Sequence, residues 1–304
     1  MFLELQHTDI GYKHPLIKEA CAKLNLGETT LLIGNNGVGK TTLLKSILKQ
    51  HPILKGRITL HQKPLSDYSP VQMASQIAVV FSKSDYSPYL TVEDLVALGK
   101  YIHYPYYFSL KTSDRRQVEE IIENLGLSPY RHYPLGKLSD GNLQKAFIGR
   151  AVAQNTPMIL LDEPTTHLDE ENKIAILQLL RQLAKTQNKA ILFSSHDWRL
   201  AKAFSDKLWL VKDRKLYTGI VEDVLKTHCL LNDLRLLPEL PSESLPFISA
   251  PTSEAELLTS LLIKQNREVS AFSFVYHDDA WTVSKGDWQK KVFSFEELLS
   301  ILPS

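Results

Sequence analysis

GNNGVGKTT, from Gly34 to Thr42, fits the pattern G-x-x-x-x-G-K-[ST]. The apolar run 30–33 before it predicts a buried strand, and the run 42–48 after it predicts a helix. Glycines let the main chain wrap around a phosphate group, and the helix N-terminus adds a partial positive charge. The stretch therefore predicts a nucleoside triphosphate site. Its expected phosphate-binding residues are Gly34, Asn35, Asn36, Gly37, Val38, Gly39, Lys40, Thr41 and Thr42.

The composition narrows the class of protein. Lys and Arg together number 35 against 34 for Asp and Glu, so no basic field indicates a nucleic-acid partner. Two distant cysteines, Cys21 and Cys229, argue against a disulfide framework or a zinc site and fit a reducing compartment. The N-terminus lacks a signal-peptide layout, and no apolar window has the length of a membrane span. We expect a soluble intracellular protein that reaches a membrane only through a partner.

Strands alternating with helices predict an α/β fold with a mainly parallel core sheet. Antiparallel strands are expected near the N-terminus, and residues 87–153 read as a helical subdomain inserted between core strands. Prolines with serines and glutamates indicate a linker at about 231–252. Residues 253–304 predict a small α+β extension whose role the residues leave open.

An aromatic cluster lies in the predicted helical subdomain. Tyrosine is favoured in protein interfaces, so the cluster is a candidate contact surface for a partner. Packing of a loop within the subdomain explains it equally well, and both interpretations stay open. Its members are Tyr101, Tyr104, Tyr106, Tyr107 and Phe108.

Two acidic residues follow the apolar run 158–161, which predicts a buried parallel strand. Asp162 is placed to hold Mg²⁺, and Glu163 to act as the general base on an attacking water. Solvation of a strand end is the alternative, and the upstream phosphate loop favours catalysis. Further upstream, Ser139 and Gly141 precede a helix and form either a second anion site or a simple N-cap.

These motifs occur in a fixed order: GNNGVGKTT, LSDGN at 138–142, MILLDEP at 158–164, THLD at 166–169, and His196 after a strand. In that order the chain resembles the ATP-binding subunits of ABC transporters over residues 1–230. The resemblance implies a P-loop NTPase of the ABC ATPase type that binds ATP with Mg²⁺. It also implies a homodimer packed head to tail, in which each ATP lies between the phosphate loop of one subunit and the LSxG segment of the other.

The resemblance assigns roles to individual residues. It implies Glu163 and His196 as catalytic, Thr41 and Asp162 as the Mg²⁺ ligands, and Tyr12 as a stacking partner for adenine. The residues implied to act in trans, from the second subunit, are Ser139, Gly141, Asn142 and Asp169.

Within the family, THLD and the stretch TVEDLVALGKY at 91–101 look most like importers for ferric siderophores, haem and vitamin B12. This implies two integral-membrane permease subunits as partners, and indirectly a periplasmic or lipoprotein substrate-binding protein. It also implies a peripheral location on the cytoplasmic face of the inner membrane. Transport itself would be driven by ATP hydrolysis in the dimer.

Two positions depart from the family pattern. Ser82 stands where the family has a glutamine that touches Mg²⁺, and the usual LSGGQ reads LSDGN. The alternatives are therefore an ABC-type ATPase without a permease and a nucleotide-binding regulator impaired in hydrolysis. The chain has no coiled-coil insertion or duplicated ATPase domain, and it retains Lys40, Glu163 and His196, so the importer ATPase is the favoured interpretation.

Overall fold

The computed structural model describes residues 1–81, 85–104, 109–228, 246–265 and 269–303. Ser82, Tyr106, Tyr107 and Phe108 lie outside these ranges, as does Cys229. By their contacts the residues form two compact units, Met1–His196 with Trp209–Leu216, and Asp197–Leu208 with Tyr217–Ser304. The domain limits given above from the sequence, 1–230, 231–252 and 253–304, stay predictions.

The elements up to residue 194 all belong to the first unit. In chain order they are β1 (Leu3–Gly11), β2 (Pro15–Leu24), β3 (Thr29–Gly34), α1 (Lys40–Ile47), β4 (Ile53–Leu60), β5 (Lys63–Pro64), α2 (Pro70–Gln76), β6 (Ile77–Val80), α3 (Val92–Leu98), α4 (Thr112–Asn124), α5 (Asp140–Ala153), β7 (Met158–Leu161), α6 (Glu170–Gln187) and β8 (Ala190–Ser194).

The remaining elements follow residue 196, and β9 and β10 have residues in both units. They are α7 (Trp198–Ala201), β9 (Lys207–Lys212), β10 (Lys215–Ile220), α8 (Val221–His228), β11 (Phe247–Ser249), α9 (Thr252–Gln265), β12 (Ser273–His277), β13 (Ala280–Lys285), β14 (Trp288–Val292) and α10 (Phe295–Ile301).

Two sheets carry the first unit. The N-terminal sheet has the order β2-β1-β4-β5, and its strands pair antiparallel, as predicted. The core sheet has the order β10-β9-β3-β8-β7-β6. Every residue of β7 and β8 is buried, which is typical of parallel strands covered on both faces. The prediction of an α/β fold with a mainly parallel core is confirmed.

The register of the core sheet decides where the site lies. β6, β7, β8 and β3 pair parallel, and Val80 is level with Leu161, Leu161 with Phe193, and Leu32 with Ser194. The carboxyl ends of these strands therefore meet at one edge of the sheet, where ligands bind in open α/β folds. The phosphate loop follows β3 at that edge, and the acidic pair follows β7.

Three helices, α3 to α5, lie between β6 and β7, as expected for the inserted helical subdomain. Thr91 caps α3: its hydroxyl accepts from Asp94 N at 3.1 Å, and its own N–H donates to Asp94 Oδ2 at 2.9 Å. This capping box is the start signal that the sequence contains. The apolar faces of the helices are buried, through residues such as Val96, Val118 and Ile148.

The tyrosine cluster is described in part. The Tyr104 hydroxyl donates to Asp114 of α4 and accepts from Lys111 N at 3.1 Å, so this ring packs within the subdomain. Tyr101 is exposed. The choice between a partner surface and internal packing therefore stays open for the cluster as a whole.

The second unit contains the small α+β extension that was predicted. Its sheet has the order β11-β12-β13-β14, with β11 parallel to β12 and the other pairs antiparallel. Trp281, Phe274 and Phe295 are fully buried there. β11 falls within the range 231–252, where composition indicates a linker, and β14 has four exposed residues out of five. Such an edge strand shows no apolar alternation from which it could be predicted.

None of the helices in the described ranges has the length and apolar character needed to cross a membrane.

Candidate active site

The phosphate loop joins β3 to α1 at the edge where the parallel strands end. Gly37 and Gly39 have φ angles of 78° and 109°, in the left-handed region that glycine occupies without steric cost. Gly39 is the last residue before α1, so the loop turns directly into the helix N-terminus. A Cβ atom at Gly34 would lie 2.7 Å from the Val211 carbonyl oxygen, so the chain has room only for glycine at this position. The exposed loop residues are Asn35, Asn36 and Gly37.

Lys40, the first residue of α1, folds back over the loop. Its side chain is buried, and Nζ donates to the carbonyl oxygens of Gly34 and Asn35 at 2.7 and 3.1 Å. Burial lowers the pKa of Lys40, and the nearby carboxylates of Glu163 and Asp162 oppose this shift. The ammonium group therefore lies against the two carbonyl oxygens at the start of the loop.

Asp162 lies between α1 and β8. Its Oδ2 atom accepts from the Thr41 hydroxyl at 3.2 Å, and its Oδ1 atom accepts from the Ser194 hydroxyl at 2.7 Å. Its main-chain N–H donates to the Val80 carbonyl oxygen at 2.9 Å, which continues the pairing of β7 with β6. A hydroxyl and a carboxylate oxygen side by side are donors that Mg²⁺ prefers, so the residues present fit that ion.

Glu163 has an unusual main chain and a crowded carboxylate. Its φ angle of 55° is left-handed, which is uncommon for a residue other than glycine, asparagine or aspartate. Its Oε1 atom lies 2.5 Å from His196 Nε2, and its Oε2 atom accepts from the Thr166 hydroxyl at 3.2 Å. The main-chain N–H donates to Ser194 Oγ at 2.8 Å. Left-handed geometry of this kind is concentrated at functional sites.

Ser194 is a site residue that the motif analysis missed. It contacts both members of the acidic pair, through a hydroxyl that donates to Asp162 and accepts from Glu163. The available signal was its position at the end of a predicted strand that also delivers His196. That position alone does not predict the contact with Asp162. The two residues are 32 positions apart in the chain and meet only because of the strand order.

The LSDGN and THLD segments form a second group. Ser139 is the N-cap of α5 and accepts from Asn142 N at 3.4 Å, so the capping interpretation holds for this residue. Asp169 is the N-cap of α6, and both its carboxylate oxygens accept from Asn172, at 2.8 and 3.0 Å.

Asn172, which the motif analysis also missed, joins the two segments. A Cβ atom built on Gly141 would lie 2.5 Å from Asn172 Oδ1, so the two residues pack directly against each other. The LSDGN segment and the THLD segment are thus linked within one chain.

Tyr12 lies at the end of the β1 region, with its side chain largely exposed. Its ring centroid is 4.6 Å from that of His51, and His51 Nε2 lies 2.8 Å from the Gly11 carbonyl oxygen. His51 thus supports one side of the tyrosine ring and leaves much of the ring open. Thr42 is buried in the first turn of α1, and Val38 is half-buried in the loop. Ser82, which stands where the family has a glutamine, lies outside the described residues.

Comparison with known proteins defines the family. The model of the ABC transporter family matches residues 17–166. The iron(3+)-hydroxamate import ATP-binding protein FhuC of Bacillus subtilis is 31% identical over 269 residues, which cover 88% of this chain and 98% of FhuC. The chain belongs to the ABC transporter family. It is accordingly an ATPase of that family, and the predicted nucleotide binding and ATP hydrolysis are confirmed.

Two further proteins illustrate the relationship. The achromobactin transport ATP-binding protein CbrD of Dickeya dadantii is 31% identical over 248 residues, 80% of this chain and 90% of CbrD. Among solved structures, the ATP-binding cassette MJ0796 in a dimeric, post-hydrolysis state with ADP and Pi superposes with a TM-score of 0.62. That match is 24% identical and covers 72% of this chain and 98% of the cassette, which establishes the shared ABC ATPase fold.

Proposed function

We propose that this ABC ATPase is the motor subunit of an importer for ferric chelates of the siderophore type. The names of FhuC and CbrD support this substrate class, because these relatives serve iron(3+)-hydroxamate import and achromobactin transport. Haem and cobalamin-type substrates, which the sequence pattern also admits, are less favoured by the same comparison. In this proposal the chain is a peripheral subunit at the cytoplasmic face of the membrane, where it binds two permease subunits. A substrate-binding protein delivers the substrate to those permease subunits.

The observation that carries the catalytic part is the arrangement around Glu163. His196 and Thr166 contact its two carboxylate oxygens, so the carboxylate is held at the strand edge beside the phosphate loop. A carboxylate in this position can accept the proton of a water that attacks the γ-phosphate. His196 then orients the carboxylate, in keeping with the catalytic role that the resemblance implies for it.

Lys40 and the loop N–H groups neutralise the phosphate charge in this proposal. Lys40 Nζ exchanges its carbonyl partners for β- and γ-phosphate oxygens, which are stronger acceptors because they carry charge. Thr41 and Asp162 would hold Mg²⁺, and the ion would neutralise charge that develops on the phosphates. Tyr12 offers its exposed ring face to the adenine base.

The trans half of the site is proposed to come from a second copy. Ser139, Gly141, Asn142 and Asp169 are linked to one another in the chain, and Ser139 and Asp169 are exposed. The dimeric state of the MJ0796 cassette supports this arrangement. Exposed caps at the N-termini of α5 and α6 are suitable for approaching an anion bound to the partner. A homodimer with two shared ATP sites follows.

The alternative of a hydrolysis-impaired regulator is less favoured. An impaired site would lack a base or its supports, whereas Glu163 is held by His196, Thr166 and Ser194. An ATPase without a permease is also less favoured, because FhuC and CbrD are import and transport ATP-binding proteins, and an uptake experiment separates it from the importer.

The catalytic assignment is tested with Glu163→Gln in the purified full chain. The amide keeps the shape of the side chain but cannot take a proton, so the rate of ATP hydrolysis should fall by about 100-fold or more. ATP binding should persist, and ATP should hold the variant as a dimer in size-exclusion chromatography. The matched control is Glu123→Gln, at an exposed acid near the end of α4. A wild-type rate in Glu163→Gln would refute the general-base role.

The transport assignment is tested by uptake in cells that lack this chain. Complementation with the wild-type gene should restore accumulation of radiolabelled iron from a ferric hydroxamate, and the Glu163→Gln gene should not. Haem and cobalamin uptake are measured in the same strains. If the wild-type gene restored haem or cobalamin uptake and not iron uptake, the proposed substrate class would be wrong. If it changed none of the three, the result would favour the ATPase without a permease.

A further inference from the structure

We propose that Ser194 is a positioning residue for hydrolysis, which sets the orientation of the Asp162 carboxylate and holds the main chain of Glu163. The inference rests on the function proposed above. Ser194 is the last residue of β8 and is fully buried. Its hydroxyl donates to Asp162 Oδ1 at 2.7 Å and accepts from Glu163 N at 2.8 Å. One side chain thus contacts both members of the acidic pair from the neighbouring strand.

The first consequence concerns the plane of the Asp162 carboxylate. A carboxylate on a short side chain can rotate about its last bond, which exchanges or tilts its two oxygens. The bond from Ser194 anchors Oδ1, and the plane of the group then leaves Oδ2 facing the Thr41 hydroxyl at 3.2 Å. Without that anchor, Oδ2 would no longer be held towards α1, where the proposed metal ligands meet.

The second consequence concerns the main chain of Glu163. Its φ angle of 55° is a left-handed conformation that persists only where the surroundings hold it. The bond from Glu163 N to Ser194 Oγ is one such restraint. From this conformation the side chain meets His196 and Thr166. A change at Ser194 should therefore reach the general base as well as the metal ligand.

The chemistry of the side chain explains why a hydroxyl is needed. A hydroxyl can donate and accept at the same time, which the two bonds of Ser194 require. Alanine would leave a buried carboxylate oxygen and a main-chain N–H without these partners, whereas threonine keeps the hydroxyl and adds one methyl group. The pair Ser194→Ala and Ser194→Thr therefore separates the hydrogen bonds from the packing.

The experiment uses the purified full chain with four measurements: the maximal hydrolysis rate, the Mg²⁺ concentration for half-maximal rate, ATP binding with Mg²⁺ or with EDTA, and the thermal midpoint. Ser194→Ala should lower the rate and raise the Mg²⁺ requirement by about tenfold each, as loss of a residue behind a metal ligand does. Mg²⁺ should enhance its ATP binding less than in the wild type. Binding in EDTA should stay unchanged, because the phosphate loop is intact.

Ser194→Thr should restore most of the rate and the wild-type Mg²⁺ requirement. The matched control is Ser205→Ala, which removes another fully buried hydroxyl, one that donates to the Ala201 carbonyl oxygen at 2.8 Å in the second unit. It should shift the thermal midpoint without changing the Mg²⁺ requirement.

Two outcomes would overturn the inference. One is a wild-type rate and Mg²⁺ requirement in Ser194→Ala. The other is a loss of rate that follows only the loss of folded protein and that threonine does not restore. Glu163→Gln is assayed in parallel: if it hydrolyses ATP normally, the proposed catalytic site itself fails, and if it is inactive while Ser194→Ala is normal, only the role of Ser194 fails.

Discussion

The Nε2 atom of His196 lies 2.5 Å from the Oε1 atom of Glu163, so the segment that follows β8 directly contacts the residue that follows Asp162. The other carboxylate oxygen of Glu163 accepts from the Thr166 hydroxyl. The proposed base is thus held from two sides by side chains of its own chain. Such support matters because a general base must be oriented as well as present.

Removing the histidine tests this support. His196→Ala should reduce the maximal rate of ATP hydrolysis by about 100-fold, because Glu163 loses the group that orients it. Nucleotide binding to the phosphate loop should fall much less. Steady-state ATPase kinetics and fluorescent-nucleotide titration measure the two effects separately. His277→Ala, at an exposed histidine of the second unit, serves as the control. If the hydrolysis rate and the nucleotide affinity fell by the same factor, His196 would act in nucleotide binding and not in orienting Glu163.

Lys40→Met tests the phosphate contact. The variant should bind ATP at least about tenfold more weakly, since a hydrogen bond to a charged group contributes about 1.5–3 kcal/mol. Burial lowers the pKa of Lys40, so the charged ammonium lowers the free energy of unfolding at neutral pH. This destabilisation disappears as the pH rises towards 10.5, where the unfolded chain also loses the proton. Stability without nucleotide should therefore not fall in Lys40→Met.

Thermal unfolding with and without ATP measures both effects of Lys40→Met. Lys45→Met, on the exposed face of α1, is the control and should keep the full stabilisation by ATP. Unchanged ATP affinity in Lys40→Met would contradict the assignment of the loop.

Gly141→Ala tests the link between the LSDGN and THLD segments. A Cβ atom there would force the Asn172 amide away, which breaks its bond to Asp169 Oδ2. We expect the ATPase rate to fall about tenfold or more, as misplacement by about 1 Å does in other sites. Asn172→Ala should lower the rate similarly, and the double variant should be little worse than either, because the two changes break one contact.

Asn124→Ala, at an exposed asparagine at the end of α4, is the control for the Asn172 change. Additive losses in the double variant would mean that Gly141 and Asn172 act separately.

Asp223→Asn tests a pH effect in the second unit. Burial raises the pKa of Asp223 above 3.8, although its carboxylate accepts from the main-chain N–H groups of Phe295 and Glu296. As the pH rises above 3.8, Asp223 loses its proton in the unfolded chain before it does so in the folded chain. The free energy of unfolding therefore falls as the pH rises through this window. The stability of the wild type relative to Asp223→Asn should therefore be larger near pH 4 than near pH 7.

Urea unfolding of both proteins at the two pH values gives the difference. Asp287→Asn, at an exposed acid of the same unit, is the control. If the stability of the wild type relative to Asp223→Asn increased with pH, the direction assigned to the pKa shift of Asp223 would be wrong.

Local signals predicted the fold and one half of the site. The apolar runs of β3, β7 and β8 have the composition of buried parallel strands, and the phosphate loop and Asp162-Glu163 follow such runs directly. The motif order then identified the family. The proposed roles of these residues stay predictions until the variants are measured.

Contacts between distant segments could not be predicted in the same way. That Ser194 meets Asp162 depends on β8 lying next to β7, and strand order is not a local property of the chain. In the sequence Asn172 is an ordinary helix residue. Only the packing of α6 against Gly141 shows that it contacts the LSDGN segment. β14 escaped prediction because its exposed, lysine-containing residues carry no apolar period.

The pairing of Thr41 with Asp162 joins residues 121 positions apart, and His196 follows later still. A partly synthesised chain that ends before β7 would have the whole phosphate loop but none of the acidic pair. Contacts of such long sequence separation form late, because the loop that they close must first lose its conformational freedom. Asp162, Glu163 and His196 should therefore reach the phosphate loop only after the central sheet is complete. A chain that ends before β7 should hydrolyse no ATP, because it lacks Asp162 and Glu163.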